Sequence, residues 1–447
     1  MSQLLNGQFM IKGLAIAVTT LMVGTAHAAK TEQQQIQELR QEVEALKSLI
    51  QQQQQVQQQQ QTQIAQVQQA KPAAPASALS SLKSKSGADV SIYGFVRGDA
   101  NYIIKGADND FNSAHTSKEE ASDKLRATAK VTRLGLDFNT PVGDNKVGGK
   151  VEVDFASGAA ENLRIRHAYL TLNNWLFGQT TSNFLSNHAP EMIDFATNIG
   201  GGTTRVPQVR YGYKLAPTTQ LFVSAEEGSS SATELKVTEE KIRDDSGAVI
   251  DPPKVTRENV SSDVTYRAPV LTAKLVQGYA EGKGSASARA LVEHYKAKSG
   301  DDKTGWGAAV GTNYQVAEPL KVSADVSYVK GNSNYLYGSN SAFYVNTVNG
   351  EIEQNEAFGV QVGATYKFSP QLRSTLAYGA LFADDGTDYA RLNDGANEKV
   401  QQAWINFIYS PVKPVDLGIE YINGERKTFA NEKFSDDRVG FMARYSF

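Results

Sequence analysis

From Ala88 onward the chain alternates apolar and polar residues with a period of two. Between 360 and 368 one face carries Val360, Val362, Ala364, Tyr366 and Phe368, and the other carries Gln361, Gly363, Thr365 and Lys367. Leu320 to Tyr328 repeats the arrangement, with Lys321, Ser323, Asp325 and Ser327 set between apolar neighbours. Successive side chains of a strand point to opposite faces. Segments of about ten such residues therefore predict strands with lipid on one side and water on the other.

The punctuation makes the strands countable. Short connections stand at 140–144, 173–174, 216–219, 267–269, 317–319, 369–370 and 410–414, most of them marked by proline. Long polar segments fall between them, near 105–123, 185–205, 229–256, 283–303, 331–355, 386–397 and 428–435, with a short one at 157–161. Seven turns alternating with eight loops predict 16 antiparallel strands, with short turns on one rim and long loops on the other. Within 283–303, residues 288–296 also admit a reading as an extra hairpin of that loop. Val439, Phe441, Ala443, Tyr445 and Phe447 alternate with Gly440, Met442, Arg444 and Ser446. This last strand is expected to pair with one beginning near Val90. Such closure leaves no unpaired edge in hydrocarbon, where each orphan backbone group costs several kcal/mol.

Ahead of the barrel the period changes. Ile36, Val43, Ile50 and Ile64 fall at a, and Leu39, Leu46 and Val67 at d, of one heptad frame that runs through two glutamine tracts. The pattern predicts an α-helical coiled coil. Lys71 to Ala76, with Pro72 and Pro75, ends it, because proline stops a helix and removes donors. The first residues differ again: Lys12, an apolar run from Gly13 to Gly24, and Ala26-His27-Ala28 as a small-x-small site read as a signal peptide. The expected organisation is thus an all-β protein: 1–28 signal peptide, 29–70 periplasmic coiled coil, 71–88 linker, and 89–447 a 16-stranded antiparallel transmembrane β-barrel in the outer membrane.

Composition narrows the function. The chain of 447 residues has 45 basic and 48 acidic residues, a net charge of −3 and no cysteine. This gives no basic field for nucleic acid, no disulfide and no thiolate metal site. Beyond the leader no run approaches 18 apolar residues, so strands must do any spanning. The five histidines (His27, His115, His167, His188 and His294) have no serine or aspartate arrangement that suggests a relay, and His167 reads as outward-facing. No enzyme activity and no cofactor are expected. Asp108, Asp110, Asn112 and Glu119 approach calcium-loop spacing, but Ser113 replaces the glycine and an acidic surface loop is the better reading.

Chemistry is expected on the inward face. With apolar residues outward, Arg97, Arg133, Arg164, Arg166 and Arg210 turn into the lumen, as do Lys214, Arg438 and Arg444. A basic residue on the lipid face would cost about 2–4 kcal/mol at the midplane. Guanidinium groups are permanently charged and grip carboxylates with two parallel hydrogen bonds, so such a lumen concentrates anions. The same arginines can instead be neutralised by Glu152, Asp154 and Glu420, which also face inward. The third outer loop, 185–204, is unusually apolar (Leu185, Met192, Ile193, Phe195, Ile199) and carries three consecutive glycines from Gly200. It is expected to fold into the barrel and narrow it, with Glu191 and Asp194 facing Arg205 and the other arginines. Lys130 breaks the alternation of the second strand and predicts a bulge there.

Four segments carry a resemblance: Ile36 to Lys47, Ile92-Tyr93-Gly94-Phe95-Val96-Arg97, Arg133 to Phe138, and Leu163 to Tyr169. With them the chain resembles the DcaP family of dicarboxylate-uptake porins of Gram-negative bacteria, over nearly its whole length. The resemblance implies a homotrimer of 16-stranded barrels, a periplasmic N-terminal coiled coil, and uptake of small anionic solutes past basic residues of those segments. Outer-membrane lipid and lipopolysaccharide would surround it, and peptidoglycan or a periplasmic partner could meet the coiled coil. Two other readings remain open. One is a phosphate- or pyrophosphate-selective porin of similar plan, although 185–205 lacks a lysine cluster. The other is an envelope tether whose pore is incidental.

Overall fold

A computed structural model describes residues 82–85, 87–157, 162–202, 204–243 and 249–447, with side chains from 240 to 254 left aside. The expected signal peptide, coiled coil and most of the linker lie outside the described residues. Most of the described residues form one closed antiparallel barrel. Its strands are β1 (Asp89–Gly106), β2 (Ala121–Thr128 continued by Arg133–Val142), β3 (Asn145–Ser157), β4 (Asn162–Leu172), β5 (Trp175–Thr181), β6 (Arg205–Ala216), β7 (Thr219–Glu226) and β8 (Val264–Tyr266 continued by Val270–Tyr279). They are followed by β9 (Gly284–Ala297), β10 (Asp302–Ala317), β11 (Leu320–Lys330), β12 (Glu356–Lys367), β13 (Leu372–Ala383), β14 (Asn397–Val412), β15 (Val415–Thr428) and β16 (Asp437–Ser446). Each pairs with its neighbour in the chain, and β16 returns to β1, giving the 16 strands that the turn count predicts.

Closure runs through the last aromatic. Phe95 pairs with Ser446, and the register continues to Tyr102 against Val439. Phe447 and Gly94 then exchange both backbone hydrogen bonds at 3.1 Å. The alternation sorts side chains as expected: on β13 Leu376 is 63% exposed on the outer face, whereas Thr375 beside it is fully buried. Paired rings line the turn rim, among them Trp175 with Phe177, Tyr211 with Tyr213, Tyr366 with Phe368 and Tyr445 with Phe447. Aromatic side chains are apolar with a polar handle or edge, which suits the level where hydrocarbon meets water.

Two connections differ from the expectation while the strand count survives. Residues 267–269 are not a turn but a break inside β8, where Pro269 has no N–H to give the ladder. The turn is at 280–283, so 283–303 is neither a long loop nor an extra hairpin: β9 and β10 fill it, joined at 298–301. The outward residues of β9 there are Ala286, Ala288 and Ala290, too small to give a strong apolar signal. The expected break near Lys130 is present between the two halves of β2.

Long loops close over the other rim. Residues 232–243 and 249–262 of the fourth loop form a hairpin. The sixth loop adds Phe343–Val345, parallel to 232–234, and Ile352–Gln354, completing a separate four-stranded sheet. Beneath it an apolar cluster joins Phe184 and Ile199 of the third loop to Tyr335 and Leu336 of the sixth, and to Val329, Leu381 and Val400 of the wall.

Candidate functional site: the lumen and the third loop

The third loop, residues 182–204 (L3), runs along the inner wall instead of standing above it. Ser186 donates to Asp325 on β11, and His188 meets Ser287 on β9 and Asn313 on β10, both at 3.1 Å. Trp404 and Asn406 on β14 donate to the Glu191 carbonyl at 3.1 Å. Glu420 on β15 accepts the amides of Ile193 at 2.8 Å and Asp194 at 2.9 Å. Gln361 on β12 donates to Asn198 and to the carbonyl of Ile199. Gly200, at φ +82°, lies where an added Cβ would meet the carbonyl oxygens of Val360 and Ala380 at 2.2 and 2.6 Å. The apolar residues of L3 explain its path: Leu185, Ile193 and Ile199 are buried, while Phe195 remains 37% exposed.

The inward arginines gather on β2, β4 and β6, strands outside those that the contacts above engage. Arg166 bridges Glu152 and Asp154, both at 2.8 Å, Arg164 binds Asp154 through two hydrogen bonds, and Arg133 approaches Glu152 at 3.3 Å. Among the described residues these three guanidiniums share two carboxylates. Arg205 lies within electrostatic reach of all three. Arg210 donates to the Asn183 side chain at 3.2 Å and sits over the Phe222 ring. A bulge at Arg166 shifts the alternation of β4, so Arg166 and His167 both turn inward. His167 therefore bonds Thr180 at 2.9 Å rather than facing outward as the unbroken pattern predicts.

Other expected residues occupy different places. Arg97 is buried, bound to Asp99 and to the Ile193 carbonyl, with Phe195 of L3 lying 4.6 Å from it on the lumen side. Glu191 does face an arginine, but it is Arg373 of β13, at 2.9 Å, which the pattern did not single out. Asp194 is buried and accepts the backbone amides of Asn112 and Ala196, so it fastens L3 to the first loop instead of facing the arginines. Arg438 is fully buried with Asp436, and Arg444 pairs with Asp416. Lys214 is exposed near the turn rim. Lys274 and Arg289, two further inward cations, lie in strands the turn count had misplaced. In the first loop Asp108 and Asp110 bind Lys124, Arg126 and Lys130, and Glu119 binds Lys105. Asn112 bonds Gln402, so the four do not converge as cation ligands.

A closed 16-stranded barrel with an aromatic rim, a polar interior and an inward third loop defines the class: an outer-membrane porin. The family model of the DcaP outer membrane protein matches residues 21–242 and 285–447, and the chain belongs to this family. It is similar to the outer membrane channel DcaP of Acinetobacter baumannii, with 64% identity, 83% of this chain and 100% of that chain covered, and a TM-score of 0.75. OmpF of Salmonella typhi, in a complex with daunomycin, shares the fold at 14% identity, with 81% and 99% covered and a TM-score of 0.52. OmpT of Vibrio cholerae does so at 15% identity, with 82% and 99% covered and a TM-score of 0.50. Among curated proteins there is no match. The protein is a channel of the outer membrane of a Gram-negative bacterium.

Proposed function

We propose that this channel conducts small anionic solutes, dicarboxylates foremost, through an arginine-lined lumen narrowed by L3, and that it works as a homotrimer. The observation that carries the reading is the cluster on β2 and β4, where Arg133, Arg164 and Arg166 share Glu152 and Asp154. Arg205 and Arg210 extend the positive side along β6. Phe195 of L3 lies 5.9 Å from Arg133 and bounds the cluster, while Glu191 is neutralised by Arg373, so the excess positive charge on the arginine side draws and orients a charged solute. Arg97, neutralised by Asp99, adds no net charge and instead holds L3 through the Ile193 carbonyl.

A dicarboxylate entering this zone exchanges part of its hydration shell for guanidinium contacts. Half-exposed ion-pair contacts are worth only about 0–1 kcal/mol each. Several weak contacts in series suit conduction, since one tight site would trap the solute. The resemblance to phosphate-selective porins draws no comparable support, because L3 carries no lysine.

The test is single-channel recording across a salt gradient with protein whose native mass is three chains. Wild-type reversal potential is expected on the anion side. Single Arg→Ala changes at 133, 164, 166 or 210 should lower succinate flux a few-fold, while Arg133→Ala with Arg166→Ala should move the reversal potential toward cations. A double variant with unchanged anion preference would show that the cluster is structural.

A further inference from the structure

The cluster around Glu152 and Asp154 does not account for every cation in the lumen. Lys274 on β8 points inward and is only 6% exposed. Directly across the ladder on β9 stands Arg289, so two cations face one another, an arrangement that destabilises a sheet unless counter-charge is supplied. Arg289 has its own, Asp325 at 2.6 Å, together with the Phe184 carbonyl at 2.9 Å. Lys274 is different. Among the described residues its ammonium donates one hydrogen bond, to the neutral side-chain oxygen of Asn187 on L3 at 3.2 Å, and pairs with no carboxylate.

Arg210 on β6 shares this condition. It reaches the neutral oxygen of Asn183 on L3, lies 5.8 Å from the centre of the Phe222 ring, and pairs with no carboxylate among the described residues. Phe222 is the cross-strand partner of Lys274, on the strand that lies between those of the two cations. The acid nearest in the ladder, Glu226, is engaged elsewhere: it accepts from Ser224, Thr272, Tyr335 and the amide of Asn183.

An ammonium has three donors, and a buried charge needs pairing. We propose that Lys274 and Arg210, with Asn183 and Asn187 of L3 and the ring of Phe222, form a second anion station that takes a carboxylate of a permeating solute. The carboxylate replaces the Asn187 oxygen as acceptor and offsets the repulsion among Lys274, Arg210 and Arg289. When it departs, the amide returns, so the empty station keeps a partner and the bound one is not a trap. The inference rests on the reading of the pore as an anion path and adds a lysine on β8, outside the β2–β4 cluster.

The experiment uses the full-length protein in planar bilayers and measures the succinate concentration that halves the potassium chloride current. Lys274→Gln keeps a donor for Asn187 and removes the charge. It is expected to raise that concentration about five-fold, the scale of one partly solvated ion-pair contact. Lys274→Arg should restore at least half of the loss. Folding of each variant is checked by heat-dependent mobility on gels, and Arg210→Gln provides an independent arm with the same expected direction. Unchanged half-blocking concentrations in both glutamine variants, or Lys274→Arg behaving as Lys274→Gln, would overturn the station. A wild-type reversal potential on the cation side would instead overturn the anion pathway itself, so the two failures are distinguishable.

Discussion

At the scale of single residues, the lumen shows how strongly a barrel interior couples its charges. Three arginines on two carboxylates leave a positive excess, whereas Arg97 with Asp99 and Arg438 with Asp436 are closed pairs that hold strands and loops together. Breaking a buried pair by removing one partner costs about 3–5 kcal/mol. Substitutions at those closed pairs therefore report on folding rather than conduction. His115 in the first loop makes the contrast with a titratable group. Its ring is buried 4.6 Å from that of Tyr337, and burial together with the Arg426 charge pulls its pKa down to about 4. The unfolded imidazole takes its proton near pH 6.5. The contact is thus fully stable above that value and weakens progressively as pH falls from 6.5 toward 4. Hydrogen exchange at residues 113–117 should accelerate across this window, beyond the chemistry of exchange itself, and His115→Asn should abolish the acceleration.

At the scale of elements, L3 is a strap fixed at many points, and Glu420 is the anchor for its tip. That carboxylate accepts two consecutive L3 amides and the side chain of Asn406. Glu420→Ala leaves buried donors without acceptors, a loss of about 1–3 kcal/mol each. The amides of 193 and 194 should then exchange at least about ten-fold faster, and the single-channel current should become noisier. Exchange rates identical to wild type would mean that Trp404 and Asn406 hold the loop alone. The apolar character of L3 was readable from the chain, since a segment with Leu185, Ile193 and Ile199 cannot be left in water without cost. Its anchors were not readable. Glu420 looked like one more lumen acid, and nothing local distinguishes a carboxylate that accepts backbone amides from one that pairs with arginine.

At the scale of the whole molecule, closure depends on the ladder between β1 and β16, which ends in the reciprocal bonds of Gly94 and Phe447. Phe447→Asp replaces a ring at the membrane boundary with a charge beside those bonds, and it should lower the amount of assembled barrel in the outer membrane. Normal surface levels of the variant would show that the other pairs of β16 suffice. The strand count, the outward and inward faces and the closing strand were set by the sequence itself, because a period of two leaves no alternative assignment of faces once one side meets lipid. The break near Lys130 was likewise local and visible. Tertiary structure alone decided where the period slips, as at Arg166, where one extra residue opposite Glu152 turns His167 inward. It also decided the turn at 280–283, since small outward alanines on β9 give a weak local signal and only pairing with β8 and β10 identifies a strand. Above all it decided which inward charges are partners. Arg373 with Glu191 and Asp194 with the first loop bring together residues far apart in the chain, and charge neutralisation depends on distance in space, which no periodicity encodes.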